Sequence, residues 1–594
     1  MRTLNQKMRN LLLLIIFSTT VFLTMNSCGE DFLYKEPQGV VATENLNTVE
    51  GVNLLLIGAY SLLDGAGSIG GWPGGHSYAS SIRNWVWDTA SDDAYKGTAQ
   101  GDFETAGEVE RYVAMATNEL IEQKWYTVYD GVSRSNDALK ALEIAKATIA
   151  AGDAAYLEGQ ARFLRGFFHF RLQRMHYQVP YISHGEDVIP ELVPNNHEIW
   201  DEIEADLAFA IANLPDAKAG EPGRATKWAA SAVKAYVHLH QQEYAEAKTL
   251  LDAIIGSGRF SLVDNYTDNY KALTENNSES LFEVQSAVND GTNRGYNGNA
   301  DSWVTNPYNP TTPTCCAMYQ PSNDLVNAYK TDANGLPLLG INGPKYNDAN
   351  MAHDQSLPSD QDFTPETGNL DPRLDHTVGR RGIPYLDWGV HYGATFIRSQ
   401  ENGGPYYTKK QMFSQAERSV ASHASFSRAS GINNRTYRYS HILLWRAEVA
   451  VEEGDLTKAM ELVNQIRSRA SNEVVMGKVS NTNFAPGFTE AVDMTQPAAN
   501  YLVSAYTSFP DQAYARAAVR MELRLETALE GNRFFDLRRW GMLNEVLPTY
   551  IQKEQQFRSV MTGAVFNLAK NDHWPIPQNQ VDIQRGVLIQ DPAY

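Results

Sequence analysis

Residues 234–247, KAYVHLHQQEYAEA, and residues 446–459, RAEVAVEEGDLTKA, repeat a single pattern. In each stretch an apolar helical segment leads through a short turn into a second segment, and alanines stand at the second and the last position. Small residues twelve positions apart, such as Ala235 and Ala247, let two antiparallel helices approach closely. This is typical of a tetratricopeptide unit, which buries its apolar face only by stacking on neighbouring helices. The sequence therefore predicts a mainly α fold with a tetratricopeptide-like helical scaffold.

Helical periodicity extends well beyond the two repeats. It predicts helices within 48–63, 117–150, 154–175, 198–214, 225–255, 516–530 and 533–540. Strand alternation is scarce, and residues 279–285 (ESLFEVQ) are its clearest case.

Residues 284–437 form a loop-rich insertion between the helical regions 46–283 and 438–594. The insertion is rich in Gly, Asn, Pro, Thr and Tyr, most clearly in 290–320, DGTNRGYNGNADSWVTNPYNPTTPTCCAMYQ. A similar loop, 64–98, contains GGWPGGHSY at 70–78. Loops of this length are usually either functional or unstructured, and the aromatic residues favour function.

Aromatic and amide side chains in these two loops are the candidate ligand-binding residues: Trp72, Tyr78, Tyr296, Trp303, Asn306 and Tyr308. Flat aromatic faces pack against sugar rings, while amides and charged groups bind hydroxyls. The alternative is that the aromatics pin long loops to the helical core. Four other tryptophans lie in patterned segments and are assigned to the core: Trp85, Trp87, Trp125 and Trp540.

The first 28 residues are typical of a lipoprotein signal. Three basic residues precede an apolar run that is too short to span a bilayer, and Ser27 stands before Cys28. We expect a signal peptide at 1–27 and a lipidated tether at 28–45, with acyl chains, palmitate among them, on Cys28. A plain secreted protein is the alternative.

Charge excludes one class of partner. The chain has 50 Lys and Arg against 70 Asp and Glu, a net charge of −20. This balance argues against binding to nucleic acid and against docking on an anionic lipid surface.

Cysteine and metal chemistry are sparse. Cys315 and Cys316 are adjacent, and either a vicinal disulfide or, the interpretation we favour, two inert thiols fits them. The 13 His residues show no metal-ligand spacing, and no cofactor is expected. Acidic and amide groups at Asp332, Asn334, Asp354, Asp360 and Asp362 offer oxygen ligands for a structural calcium ion, although a solvated acidic loop is favoured.

Glu522, Glu526 and Glu530 lie on one helix face, four residues apart. Paired carboxylates are used in glycoside hydrolysis, but successive turns of one helix cannot flank both faces of a glycosidic bond. Ion pairing is favoured instead, with partners at Arg520, Arg524 and Arg533. The sequence therefore predicts a protein that is not an enzyme.

Several motifs recur in one order along nearly the whole chain. They are Trp125-x-x-x-Tyr129 leading to Arg134-x-Asn136, 158–170 (EGQARFLRGFFHF), 223–230 (GRATKWAA), Asp371-Pro-Arg-Leu374, 522–541 (ELRLETALEGNRFFDLRRWG) and 574–577 (WPIP). Together they resemble the SusD/RagB-type outer-membrane nutrient-binding lipoproteins of the Bacteroidetes.

The resemblance implies a fold of four tetratricopeptide-like units that carries a loop-rich half. It also implies a lipid-anchored protein at the cell surface, on the outer membrane. Such a protein would capture oligosaccharides without cleaving them and deliver them to a SusC-like TonB-dependent barrel transporter. Peptide capture in the same role, a surface glycosidase and a scaffold that binds only protein remain as alternatives.

Overall fold

The structure is a computed structural model of the 594-residue chain. It describes residues 46–65, 85–217, 220–291, 297–309, 311–485, 488 and 491–594, together with positions 5–6 and 8–9. Cys28, Trp72, Tyr78 and Tyr296 lie outside the described residues, as do the expected tether and most of the signal peptide. Among the residues described, none of the helices has the length and apolar character needed to cross a lipid bilayer.

Six long helices form the first helical region. They are α1 (Val49–Tyr60), α2 (Glu119–Ala145), α3 (Ala151–His176), α4 (Trp200–Asn213), α5 (Lys227–Gln241) and α6 (Tyr244–Gly256). Hydroxyl and amide side chains cap several of them. Thr48 accepts from the Gly51 N–H, and Asn118 accepts from the Leu120 N–H. The predicted helices of this region are confirmed.

The described part of the second helical region contains five helices of seven residues or more. They are α7 (Tyr439–Glu453), α8 (Leu456–Ala470), α9 (Gln512–Thr527), α10 (Arg533–Arg539) and α11 (Leu543–Glu554). Gly454 ends α7 with a φ of 83°, a left-handed conformation that glycine adopts without steric cost. Residues 574–577 contain two prolines and form no helix.

The two repeat units fold as adjacent antiparallel pairs, α5 with α6 and α7 with α8. Their four alanines, Ala235, Ala247, Ala447 and Ala459, are all fully buried. The pairs stack on each other through α6 and α7. Helices α1 to α4 continue the stack, so that one apolar core runs through the scaffold. The predicted tetratricopeptide-like scaffold is confirmed.

Within its described part, the insertion at 284–437 contains no helix longer than six residues. The short helices of the chain are Trp85–Asp88, Glu104–Glu110, Asn323–Ala328, Arg373–Thr377, Gln400–Gly403, Arg418–Ala421, Leu568–Asn571 and Gln578–Ile583. Trp85, Trp87 and Trp125 are buried as predicted, and Trp540 is half-buried against the two main cores.

Strands pair in small antiparallel ribbons of two. They are β1 (Ala94–Gly97), β2 (Ser280–Val284), β3 (Met318–Pro321), β4 (Val378–Gly379), β5 (Tyr407–Thr408), β6 (Ser422–His423), β7 (Phe426–Ser430), β8 (Asn434–Arg438), β9 (Met476–Val479) and β10 (Val492–Pro497). The pairs are β1 with β3, β2 with β8, β4 with β5, β6 with β7 and β9 with β10. The strand predicted at 279–285 is β2.

Glu522 and Glu526 of α9, and Glu530 just after it, are buried in ion pairs with residues of other segments. Arg373 Nη2 lies 2.7 Å from Glu522 Oε1. Arg438 bridges the other two, with Nη1 at 2.6 Å from Glu526 Oε1 and Nη2 at 2.8 Å from Glu530 Oε1. Ion pairing is therefore the role of these carboxylates, but with partners from distant segments.

The predicted partners of these glutamates are wrong. Arg524 Nε lies 2.7 Å from Asp93 Oδ1, and Arg533 Nε lies 2.7 Å from Asp92 Oδ1. The guanidinium of Arg520 packs 5.0 Å from the Trp540 ring centroid. On a helix, residues two apart point about 200° apart. Arg520 and Arg524 therefore face away from the glutamates that alternate with them, whereas Arg533 lies on the next helix, α10.

Candidate functional site

The two loop regions predicted to bind ligand are neighbours in space. At their C-terminal ends, β1 pairs with β3, with Tyr95 opposite Gln320. The Thr98 N–H adds a hydrogen bond of 2.7 Å to the Ala317 carbonyl. The ribbon therefore fixes the end of loop 64–98 beside the end of loop 290–320.

The other ends of the loops meet at a pocket of about 460 Å³. Asp64 lines it from the first loop and Asn297 from the second, with Leu63 and Ala287 just before the two loops. The floor includes Tyr60 at the end of α1 and Arg224 before α5, with the side chains of Glu221, Gln285 and Ser286 nearby.

Arg224 supplies a buried cation to this pocket, since its side chain is only 10% exposed. Its Nη2 donates to Asn53 Oδ1 at 2.6 Å, and its guanidinium lies 5.3 Å from the Tyr60 ring centroid. Within the described part of the chain, Nη1 has no hydrogen-bond partner. A buried donor without a partner favours an acceptor on a ligand. In the sequence, Arg224 stands out only as part of the motif at 223–230 that carries the family resemblance.

Asp64 adds a carboxyl group whose charge is disfavoured. Burial raises its pKa to about 8, and the nearby Asp301 carboxylate contributes to the rise. The neutral acid therefore predominates at pH 7 and can donate as well as accept a hydrogen bond.

Trp303 and Asn306 face inward. Trp303 is 4% exposed and packs with Val288 and Ala429. Asn306 is 2% exposed, and its Nδ2 donates to the Arg428 carbonyl at 3.4 Å. In this structure both side chains fix the second loop to the protein.

Tyr308 faces outward, with 49% of its surface exposed. The Arg398 guanidinium lies 5.7 Å from its ring centroid. Arg398 Nη1 donates to Thr98 Oγ1 at 2.8 Å and also pairs with Asp102. An exposed ring, a cation and a carboxylate thus meet where the two loops join. Arg398 and Asp102 lie outside any motif, so no sequence pattern pointed to them.

Of the candidates in the described part of the second loop, Trp303, Asn306 and Tyr308, only Tyr308 has a well-exposed side chain. Asn297 is exposed at the pocket, whereas Asn299 is buried and donates to the Ile432 carbonyl at 2.9 Å. The assignment of the candidate residues to a ligand stays a prediction.

Cys315 and Cys316, on the return strand of this segment, are joined by a disulfide. The favoured interpretation of two free thiols is therefore wrong, because the packed turn holds the two sulfurs together. Arg428 Nη1 donates to Cys315 Sγ at 3.1 Å. Backbone bonds from Cys315 N to the Pro307 carbonyl and from Ala317 N to the Asn306 carbonyl fix the same turn.

The acidic residues considered for calcium are engaged separately. Asp354 is buried 3.8 Å from Arg381, and Asp362 Oδ1 accepts from Asn483 Nδ2 at 2.9 Å. Asp332 closes its own turn by accepting from the Asn334 N–H at 2.8 Å. The favoured picture of a solvated acidic loop is therefore wrong for Asp354, which packing has buried.

Comparison with known families gives two matches. A profile described as the SusD family matches residues 278–594, and one described as starch-binding associating with outer membrane matches residues 80–239. The first match alone spans more than half of the chain. The chain belongs to the SusD family. The resemblance read from the motifs is confirmed.

Relatives of the SusD family cover nearly the whole chain. SusD-like protein P25 of Formosa agariphila is 22% identical over 562 residues, which is 91% of each protein. A SusD superfamily protein of Bacteroides vulgatus has a TM-score of 0.66 at 20% identity, over 92% of this chain and 99% of the other. Surface glycan-binding protein A of Bacteroides thetaiotaomicron, solved in complex with laminarihexaose, has a TM-score of 0.64 at 19% identity, over 92% and 100%. These likenesses establish the SusD fold.

Proposed function

We propose that the protein is a non-catalytic glycan-binding lipoprotein of the cell surface. It captures oligosaccharides on the face formed by loops 64–98 and 290–320. The observation that carries the proposal is the meeting of these two aromatic-rich loops, through the β1–β3 ribbon at one end and a shared pocket at the other. The structure of a SusD-fold relative with laminarihexaose supports it.

The chemistry of the face suits a neutral or weakly charged sugar. Tyr308 offers a flat ring, while Arg398, Asp102 and Arg224 offer groups for hydroxyls. Sugar recognition uses such apolar faces together with a few well-placed polar groups. An exposed face also suits a chain-like ligand that passes on to a second protein.

The direct test is calorimetric titration of the protein with plant, host and microbial oligosaccharides, laminarihexaose among them, with product analysis of the same samples. We expect saturable binding and unchanged sugars. Cleavage products would overturn the non-catalytic proposal. Binding of oligopeptides in place of all sugars would favour the peptide alternative.

Site variants locate the ligand. We expect Tyr308→Ala to weaken binding about tenfold, which corresponds to about 1.4 kcal/mol. Tyr126→Ala is the matched control, because Tyr126 is also well exposed, at 57%, but lies on α2. Trp303→Ala is expected to lower stability as well as binding, since it empties a buried site. If all three variants bind the oligosaccharide as tightly as the wild-type protein, the assignment is refuted. Trp72→Ala extends the test to the first loop.

The location and the partner are further parts of the proposal. We propose that Cys28 carries the lipid anchor, that residues 28–45 are the tether, and that a SusC-like TonB-dependent barrel receives the glycan from the insertion at 284–437. A family description that includes association with the outer membrane supports this location. A Cys28→Ala variant should leave the membrane fraction, and the native protein should co-purify with a barrel. Membrane attachment retained in Cys28→Ala would contradict the anchor.

A further inference from the structure

His238 lies between two carboxylates that are distant from each other in sequence. Glu204 belongs to α4, His238 to α5, and Glu243 to the turn before α6. One ligand atom from each of the three lies within 4.8 Å of the others. No other trio of His, Cys, Asp and Glu meets this condition in the described part of the chain.

The two nitrogens of the His238 ring have different surroundings. Nδ1 lies 2.6 Å from Glu243 Oε2, a short charge-assisted hydrogen bond in which Nδ1–H donates. In the neutral ring Nε2 then presents a lone pair toward Glu204 Oε2, 3.5 Å away. A cation can lie between these two acceptors.

The 3.5 Å separation matches a metal site better than a hydrogen bond. Hydrogen bonds from nitrogen to oxygen are usually about 2.7–3.2 Å long. In a tetrahedral site with bonds of about 2.0–2.2 Å, two ligand atoms stand roughly 3.4 Å apart. A histidine that binds a metal also commonly donates its other N–H to a carboxylate, which is the position of Glu243.

We propose that a divalent transition-metal ion of the zinc class binds between His238 Nε2 and the Glu204 carboxylate. Glu243 orients the imidazole, and water completes the coordination. The imidazole selects against calcium and magnesium, which prefer oxygen ligands. The Glu243 side chain is 41% exposed, so an ion can enter from the solvent side.

Lys234 sets the affinity of this site. Its Nζ lies 3.7 Å from Glu204 Oε2, and Gln241 Nε2 donates to Glu204 Oε1 at 2.8 Å. The ammonium group neutralises Glu204 when no metal is bound, and it repels the incoming ion. The side chain of Lys234 therefore has to turn toward solvent as the metal enters, which makes the site weaker than a dedicated zinc site.

Titration of the tag-free full-length protein with zinc chloride tests the proposal. We expect one saturable site per chain, which is lost in both His238→Ala and His238→Gln. Glu243→Ala should weaken binding about 10- to 100-fold, as for other partners of ligating histidines. Lys234→Ala should tighten binding several-fold. The matched control is His197→Ala, because His197 pairs with a single carboxylate, Glu202, at 2.9 Å.

A second readout separates binding from folding. Zinc should raise the unfolding temperature of the wild-type protein and of His197→Ala, but not of His238→Gln. Binding that persists in both His238 variants would overturn the proposal. So would the absence of binding and of any temperature shift in folded wild-type protein at millimolar zinc. Glycan titration of the same samples tests the proposed function separately, because its outcome does not depend on whether zinc binds.

Discussion

The two helical regions and the loop-rich insertion are held in contrasting ways. In the helical scaffold, α3 buries apolar rings such as Phe163 and Phe167 in a continuous core. The insertion is tied to the scaffold through buried charges, with Arg373 paired to Glu522 of α9 and Lys410 paired to Glu530. Regular helices satisfy their own backbone hydrogen bonds and can be held together by apolar contacts. Irregular segments lack such repeating hydrogen bonds.

The difference has a physical consequence. Apolar contacts are non-directional, so a helical stack gains stability from any close packing. A guanidinium–carboxylate pair has a fixed geometry, and breaking a buried pair leaves an uncompensated charge. We infer that the ion pairs specify where the insertion docks, while the apolar core supplies most of the stability.

Glu526→Ala is expected to have the largest effect. Glu526 contacts Arg438, Arg469 and Arg373, and all four side chains are buried. Removing the carboxylate should cost about 3–5 kcal/mol, measured by urea unfolding, because three buried guanidinium groups each lose one carboxylate partner.

A surface ion pair provides the control for that variant. Arg516, also on α9, lies 2.7 Å from Glu452, and both side chains are partly exposed. Glu452→Ala should cost about 0–1 kcal/mol. An equal cost in the two variants would contradict the special role of the buried pairs.

Overpacking tests the apolar side of the comparison. Ala247 is fully buried where α5 and α6 cross, and Ala247→Leu should cost about 1–3 kcal/mol in thermal or urea unfolding. Ala245 lies on the same helix but is exposed, so Ala245→Leu should be nearly neutral. A tolerant Ala247 site would show that close helix approach is not what these alanines provide.

Mild acid is expected to lower the stability of the protein gradually and by a smaller amount. The pH range of this fall differs between the helical scaffold and the ion cluster. Burial lowers the pKa of His169 in α3 from 6.5 to about 3, and the Arg165 charge adds to the shift. Its neutral ring donates from Nδ1 to the Arg165 carbonyl and accepts at Nε2 from the Ile182 N–H. The folded state thus binds fewer protons here, and stability falls as the pH drops below 6.5.

The ion cluster responds in a lower pH range. Nearby arginines hold the pKa of Glu526 well below its usual value of 4.5, although burial opposes them. Its contribution is therefore complete above pH 4.5 and is lost below it. We expect His169→Gln to flatten the stability profile between pH 6.5 and 4.5 and to leave the fall below 4.5 in place. An unchanged profile above pH 4.5 would contradict the role of His169.

Replacing the disulfide is expected to have the smallest effect. A Cys315→Ser, Cys316→Ser double variant should lower glycan affinity only a few-fold, because backbone hydrogen bonds still hold the segment that carries Tyr308. The unfolding midpoint should change little. Thiol titration of the wild-type protein checks the disulfide itself, and two reactive thiols in the native protein would contradict it.

Sequence periodicity predicted the helices well because their apolar faces repeat locally. The predicted helix at 198–214 and the observed α4 differ by two residues or fewer at each end. Sequence could not give the partners of Glu526, since Arg373 lies 153 residues away and local spacing favoured Arg524. The β1–β3 ribbon and the exposed Tyr308–Arg398 pair were missed for the same reason, because each joins segments far apart in the chain.

The position of Glu526 also determines when folding can finish. Its partners Arg373, Arg438 and Arg469 precede it by 153, 88 and 57 residues, so none of these pairs can form until the polypeptide is nearly complete. At translation rates of about 5–20 residues per second, Glu526 is synthesised roughly 8–30 s after Arg373. A truncated chain that stops before α9 would lack the Glu526 carboxylate, and among the described residues these cations would keep only Asp371 and Glu279 as carboxylate partners. Cellular quality control would therefore recognise such a fragment as incompletely folded, although its earlier helices have formed.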